Sequence, residues 1–571
     1  MPYTAPVAEF KFLLAHVAGF EKVAATERFA EATPDVTDAI LTEAGKLCDE
    51  VMAPLYRVSD LHPAHLENGI VRTAPGFADA YRAIAEGGWV GVSADPEYGG
   101  MGLPLTIAIA INDMMSGACL ALQLCPLLTQ GQIEALEAHA SEELKALYLP
   151  KLISGEWTGT MNLTEPQAGS DVGAVASKAE DKGDGTFAVT GQKIFISWGD
   201  HDVAENVCHL VLARLPGAPA GTRGLSLFLV PKFLPDGDGR PGARNSLSVV
   251  SLEHKLGLHG SPTAVMQYDG ATGWLVGAPG GGMAAMFTMM NNARLGVGTE
   301  GVGIAEGAYQ HALAYALDRK QGRTPTGAGA IVDHADVRRM LTTMKAEILA
   351  ARSIELACAV ALDMAAATGE EDWAARAAFL TPIAKAFGTE TGMAVSSECI
   401  QVHGGMGVIE EAGAAQYWRD VRVTAIYEGT NGIQAMDLVG RKLADGGGAA
   451  GRLLDEIQAG AEAGRESFPD LADAVAVAAA ALRDAIAWMV AQSDATERNA
   501  GAVPFLRAFA RVLGGHFHLC AAVAEGTGGA RSKLAAFYIH RLLPEHAALL
   551  VQARAGAGDL YALDPDDLAA A

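Results

Sequence analysis

The stretch AIYEGTNGIQ (425–434) holds one carboxylate, Glu428, where an apolar run breaks into a turn of Gly429, Thr430, Asn431 and Gly432. A carboxylate half-desolvated beside the backbone donors of a turn can serve as a general base. The same residues also suit a helix start, with Thr430 or Asn431 as the cap and Glu428 merely nearby. On these ten residues both readings stay open.

Other stretches carry residue types suited to holding a ligand. LTEPQAGSDV (163–172) offers the hydroxyls of Thr164 and Ser170 around a turn enforced by Pro166 and Gly169; a capped loop is the alternative. In GQKIFISWGDHD (191–202) a period of two puts Phe195 and Ser197 on one strand face, an aromatic and a hydroxyl able to shelter a flat heterocycle. CIQVHGGMGV (399–408) sets adjacent glycines after an apolar run, where backbone N–H groups can approach a phosphate, or where a helix simply ends. His403 alone is a packed or exposed histidine. YALDRKQGR (315–323) closes a helix with Arg319, Lys320 and Arg323, either dipole complements or a pyrophosphate clamp. LGVGTEGVG contains a G-x-G-x-x-G at Gly296, Gly298 and Gly301, but its Met-rich lead-in predicts a helix, not the strand a dinucleotide loop requires. Small residues at a close helix–helix contact are the better reading.

The elements that must position these residues follow from periodicity. Helical spacing dominates from residue 8 to about 150, interrupted by the turn-rich DPEYGGMGLP (95–104). Short β-branched runs at 187–198, 206–215 and 224–233 predict a central antiparallel β domain. Long helices resume, DGGGAAGR (445–452) suggests a linker, and an alanine-rich helical block follows. The expected division is 1–156 helical, 157–278 β, 279–445 a helical bundle carrying Glu428, and 446–571 a helical extension.

Composition narrows the classes. The 571 residues are 50% hydrophobic with 66 glycines and a net charge of −25, which speaks against a nucleic-acid partner. Seven scattered cysteines show no CxxC or Cys/His spacing, so no metal site or disulfide frame is expected. The N-terminal stretch lacks a basic n-region, and no uncharged apolar run reaches ~20 residues, so no signal peptide and no membrane span are expected, and a cytoplasmic location is.

In order and spacing, DPEYGGMG, LTEPQAGSD, GQKIFIS, RKQGR, QVHGGMGV and YEGTNGIQ together resemble the acyl-CoA dehydrogenase family across roughly residues 40 to 445. The resemblance implies a mainly α fold: an N-terminal helical domain, a central β domain and a C-terminal four-helix bundle, with FAD held between them. Glu428 matches the base that removes the α-proton of an acyl-CoA thioester while a hydride leaves the β-carbon for flavin N5. Burial beside Ile426 and Tyr427 would raise its pKa for that task. By position, Thr164 matches a contact to the flavin pyrimidine edge, and Ser170 one near the phosphates and pantetheine. Phe195 stands where many members have a tryptophan over the flavin, and Ser197 where they have a threonine reaching N5. Arg319, Gln401, Gly405 and Thr430 match contacts on the pyrophosphate and adenosine side. Arg294 matches an arginine beside base and substrate, Asn291 replaces a frequent aspartate near the CoA, and Gly429 belongs to the thioester site. The resemblance further implies electron-transfer flavoprotein as acceptor and a homodimer or homotetramer. The start ahead of the usual domain, the extension, and EHKLGLHGSPTAVMQYDGATGWLVG (253–277) look like the family's bacterial 3-(methylthio)propanoyl-CoA dehydrogenase branch, which acts in dimethylsulfoniopropionate breakdown. Alternatives are a dehydrogenase of ordinary fatty acyl-CoAs, an acyl-CoA oxidase and, remotely, a flavin-bearing DNA-associated protein.

Overall fold

The structure, a computed structural model, describes residues 3–327 and 329–570. The chain folds as two compact units: residues up to Ala5 with Ala39–Gly296, and Pro6–Asp38 with the chain from Val297 onward. Helix α1 (Val7–His16) belongs to the second unit.

The first unit is built on α2 (Leu105–His139) and α3 (Glu142–Ile153), followed by strands β1 (Trp157–Asn162), β2 (Lys178–Asp181), β3 (Phe187–Ser197), β4 (Asn206–Arg214), β5 (Leu225–Pro231), β6 (Leu247–Leu252) and β7 (Thr263–Val276). β3, β4 and β5 lie where the β-branched runs predict them. β4 pairs with β5, β5 with β7, β7 with β3, β3 with β2, and β2 returns to β4, so the pairing closes on itself. Val189, Ile196, Val211, Phe228, Val230, Met266 and Tyr268 fill the interior.

The all-antiparallel expectation needs one correction. β1 runs parallel to β4, in register from Trp157↔Asn206 to Asn162↔Val211, and β2 meets β4 in parallel at Lys178↔Arg214. The 43 residues between β1 and β4 lead the chain through β2 and β3 before it returns, which is the long crossover a parallel pair requires. A hairpin at His65–Glu67 and Ile70–Arg72 was also not expected. Its turn residues, Asn68 (φ 51) and Gly69 (φ 77), are both left-handed, as a two-residue hairpin loop demands.

The second unit gathers α4 (Gly282–Asp318) from Val297 onward, α5 (Ala335–Thr368), α6 (Glu371–His403), α7 (Asn431–Asp437), α8 (Gly448–Gly464), α9 (Pro469–Ala491), α10 (Ala502–Glu525) and α11 (Ala530–Arg541). The glycine pattern on α4 is a helix contact. A Cβ on Gly298 would fall 2.8 Å from Ala384 O, and one on Gly301 2.4 Å from Gly388 O, while Gly388 and Gly392 of α6 answer from the other side.

The extension packs on the bundle helices. Phe509 of α10 lies edge-on to Phe379 at 4.9 Å, Arg511 bonds both Glu347 oxygens at 2.6 Å, and the His518 ring stands 3.0 Å from Ala346 O. α1 is tied in by Glu9, which pairs with Arg352 at 2.5 Å and Lys345 at 2.8 Å, and by Arg531 of α11 over the Phe12 ring at 3.6 Å. The expected linker is shorter than 445–452. α8 begins at Gly448, because the Asp445 carboxylate accepts from Gly447 N and Ala449 N and caps it.

Among the described residues, two helices are long and apolar enough to cross a membrane, α2 and α9. The apolar stretch of α2 is 94% buried. α9 turns Leu471, Val475, Leu482 and Met489 inward and carries Asp473, Arg483 and Asp484 outward. All seven cysteines are free, six of them buried.

Candidate active site

Glu428 sits at φ +55 and Gly429 at φ +84, so the chain makes a left-handed corner before α7. A glutamate rarely adopts that conformation without being held there. Holding comes partly from Gln434, whose Nε2 donates to the carbonyls of Glu428 and Gly429 at 3.2 Å each. The capping role falls to Thr430, whose Oγ1 accepts from Ile433 N at 3.3 Å. Asn431 reaches α6 instead, accepting from buried Lys385 at 3.0 Å. One expectation fails: Ile426 is 51% exposed and does not shelter the carboxylate. The other neighbour, Tyr427, is half-buried, and its hydroxyl donates to the fully buried Glu300 of α4.

At the far ends of α4 and α6, Tyr315 stacks on His403 at 4.3 Å. This places Arg319, one turn beyond Tyr315, at the same end of the unit as Gln401 and Gly405. All three are exposed. His403 is buried and bonds Cys399 O through Nδ1 at 2.7 Å; burial lowers its pKa, as it does for His311 beside it, which is brought to about 4. Gly404 (φ +58) breaks the helix, and a Cβ on Gly404 or Gly405 would meet nothing within 4 Å. That open backbone contrasts with Gly407, where a Cβ would strike Ile400 O at 2.1 Å.

In the first unit, Thr164 is half-buried on a loop tied to β3 by Ile194 N donating to its carbonyl at 2.9 Å. Ser170, further along, is exposed. The regular alternation expected for Phe195 and Ser197 is broken. The register shifts opposite Ala264 and Met266, Phe195 takes φ +60, and its ring is 60% exposed while Ile196 is buried. The bulge turns the aromatic outward beside half-buried Ser197. Asn291 is exposed on α4, and Arg294 is buried with its guanidinium 5.9 Å from the Phe287 ring.

Comparison with known proteins gives the family. Models of the acyl-CoA dehydrogenase N-terminal, middle and C-terminal domains match residues 35–156, 160–271 and 280–443, and an acetyl-CoA dehydrogenase C-terminal-like model matches 453–564. The chain belongs to the acyl-CoA dehydrogenase family. It is 47% identical over 521 residues to 3-methylmercaptopropionyl-CoA dehydrogenase of Ruegeria pomeroyi, covering 89% of this chain and 88% of that one. It is 38% identical over 429 residues to a butyryl-CoA dehydrogenase of Syntrophomonas wolfei, covering 72% and 70%. The fold matches Caenorhabditis elegans ACDH-11, solved with C11-CoA, with a TM-score of 0.78 at 22% identity over 89% of this chain and 88% of that one.

The protein is therefore an oxidoreductase acting on CH–CH bonds of acyl-CoA thioesters, with FAD as its cofactor. The residues present fit that cofactor. An outward aromatic at the Phe195 bulge suits a flat ring system, and uncluttered backbone at Gly404 and Gly405 suits a phosphate-bearing chain.

The dehydrogenase also uses residues that motif reading passed over. Glu165, inside LTEP, is buried and accepts from buried Lys193 Nζ at 2.8 Å, buried Ser177 Oγ at 2.5 Å and Ala176 N at 2.8 Å. Lys193 also donates to Leu163 O at 2.9 Å, so the pair anchors both sides of Thr164. Trp198 follows Ser197 at φ +53 and donates to Ala121 O at 3.2 Å, fixing the end of β3 on α2. Lys193 had no clear local signal, because the bulge sets it on the opposite side from Phe195. Glu300 had no local one.

Proposed function

We propose that Glu428 is the base that takes the α-proton of a short acyl-CoA thioester, and that the natural thioester is 3-(methylthio)propanoyl-CoA. The observation that carries the first part is the left-handed corner at Glu428 and Gly429, held by Gln434 and Tyr427 while Thr430 does the capping. A carboxylate on a braced turn whose following helix is capped by Thr430 is positioned for chemistry at little reorganisation cost. The 47% identity to a 3-methylmercaptopropionyl-CoA dehydrogenase over most of both chains supports the second.

Proton removal leaves charge on the thioester oxygen, and the Glu428 backbone N–H is a preorganised donor for it, with Gly429 leaving room at the corner. FAD, when bound, supplies the two-electron acceptor for the β-hydrogen. Thr164, Phe195 and Ser197 would hold its ring system; Arg319, Gln401, Gly405 and Thr430 its pyrophosphate and adenosine side. Ser170, Asn291 and Arg294 would meet the CoA thioester. Electron-transfer flavoprotein as acceptor, a cytoplasmic location, a homodimer or homotetramer, and the four-part division at 156, 278 and 445 complete the reading. Anaerobic bleaching of the yellow protein with a panel of acyl-CoAs tests the substrate. 3-(Methylthio)propanoyl-CoA should reduce the flavin fastest; a faster reduction by a plain straight-chain acyl-CoA would replace it.

A further inference from the structure

Beneath the Glu428 turn lies a second carboxyl that proton abstraction does not use. Glu300 stands on α4 between Gly298 and Gly301, the two positions where α4 and α6 touch through their backbones, and it is fully buried. Its Oε2 accepts the Tyr427 hydroxyl, and its Oε1 has no hydrogen-bond partner among the described residues. A carboxylate offers about four acceptor sites, and burying one in ionised form with a single donor is expensive. Burial first, then the like charge of Glu428, push the Glu300 carboxyl up to about 8, against the opposing pull of the Tyr427 hydrogen bond and the Lys385 charge. The acid is uncharged at neutral pH.

Its hydrogen bond, the one found among the described residues, lands on the residue immediately before Glu428. The left-handed corner is thus gripped on both sides, by Gln434 on the carbonyls of 428 and 429 and by Glu300 on Tyr427. A non-glycine residue held at positive φ is strained, and such grips must offset that strain.

We propose that Glu300 is a positioning residue for the dehydrogenation: as an uncharged acid bonded to Tyr427 it pins the entry side of the Glu428 turn and keeps a second negative charge off the base. This rests on Glu428 being that base. The titratable and charged groups facing Glu300 are Tyr427 and Glu428 on the turn and Lys385 on α6. As pH rises through about 8, Glu300 gains a charge beside Glu428, so the two carboxyls titrate as a pair and the reaction rate inflects there.

The test is anaerobic stopped-flow reduction of the FAD-bound enzyme by 3-(methylthio)propanoyl-CoA and butanoyl-CoA from pH 6 to 10, for wild type, Glu300→Gln, Glu300→Leu, Tyr427→Phe and Glu428→Gln. Glu300→Gln keeps an uncharged acceptor for Tyr427; it should stay within about threefold of wild type at pH 7 and lose the inflection near pH 8. Glu300→Leu and Tyr427→Phe should retain FAD and reduce it ~10–100-fold more slowly, with the double variant no slower than either. Wild-type rates in Tyr427→Phe, or one pH profile shared by wild type and Glu300→Gln, overturn the proposal even if Glu300→Leu does not fold. If those variants are unimpaired and Glu428→Gln is inert, only the role of Glu300 falls. If Glu428→Gln is as fast as wild type, the base assignment falls and this role with it.

Discussion

Placing alanine at Gly301 tests whether α4 and α6 meet backbone to backbone under the active-site turn. The new Cβ would lie 2.4 Å from Gly388 O and 2.7 Å from Thr389 Cα, where comfortable contact begins at about 3.5 Å. Both obstacles are main chain, so no rotamer change relieves them and the helices must part by about 1 Å. Alanine regains ~1 kcal/mol of helix propensity over glycine. Overpacking against backbone costs ~1–3 kcal/mol, and the upper end applies here because nothing flexible can yield. The net expectation is a loss of about 2 kcal/mol. Gly451→Ala on α8 is the control, since its Cβ would meet only the Arg483 guanidinium at 4.0 Å; it should gain up to ~1 kcal/mol. Thermal melts of the two FAD-bound variants under one condition should therefore shift in opposite directions. Because Glu300 is the adjacent residue, Gly301→Ala should also slow flavin reduction, and Gly451→Ala should not. A Gly301→Ala enzyme that melts at or above wild type would refute the packing account.

Two further outcomes are expected. Truncation after Ala444 strips α8 to α11 and bares Phe379 and the Ala350 face, so aggregation or an altered assembly should follow; a native assembly with full activity would show the extension to be dispensable. Glu165→Gln should cost about 3–5 kcal/mol at neutral pH by leaving Lys193 buried without its counter-charge. Burial would raise the Glu165 pKa, but the Lys193 charge and the bonds from Lys193, Ser177 and Ala176 bring it from 4.5 down to about 2. Its stabilisation is therefore complete above about pH 4.5, up to the range near pH 8 where burial makes Lys193 lose its proton, and lost toward pH 2, so the melting gap between wild type and variant should close from pH 4.5 down to 2. A gap that stays constant contradicts the assignment.

Where local pattern carries the physics, the sequence was legible. β3, β4 and β5 announced themselves through β-branched runs, and the Met-rich lead-in showed that the glycines of α4 serve a helix contact. Thr430 was one of the two caps the sequence offered, with Asn431, and it is the one that caps. The hairpin at 65–72 carried its own signal, Asn68–Gly69, which the surrounding helical spacing obscured. Other features depend on contacts far apart in the chain. Glu300 and Tyr427 are separated by 127 residues, and nothing local distinguishes a glutamate buried against a partner from one facing water. Ile426 looked like shelter because it is apolar, yet the corner at Glu428 throws it outward. At Phe195 the bulge, invisible to a period of two, decides which way the ring points.

The most direct measurement on the central claim is anaerobic stopped-flow flavin reduction in Glu428→Gln, taken with its melting temperature and its binding of FAD and acyl-CoA. The amide keeps the shape and removes the basic oxygen. With Glu428 as base, FAD and thioester should bind nearly as before while reduction slows by ~10²–10⁴-fold or more. Reduction at the wild-type rate, with a stability loss of ~1 kcal/mol or less, would return Glu428 to the role of a neighbour of the Thr430 cap and require another base.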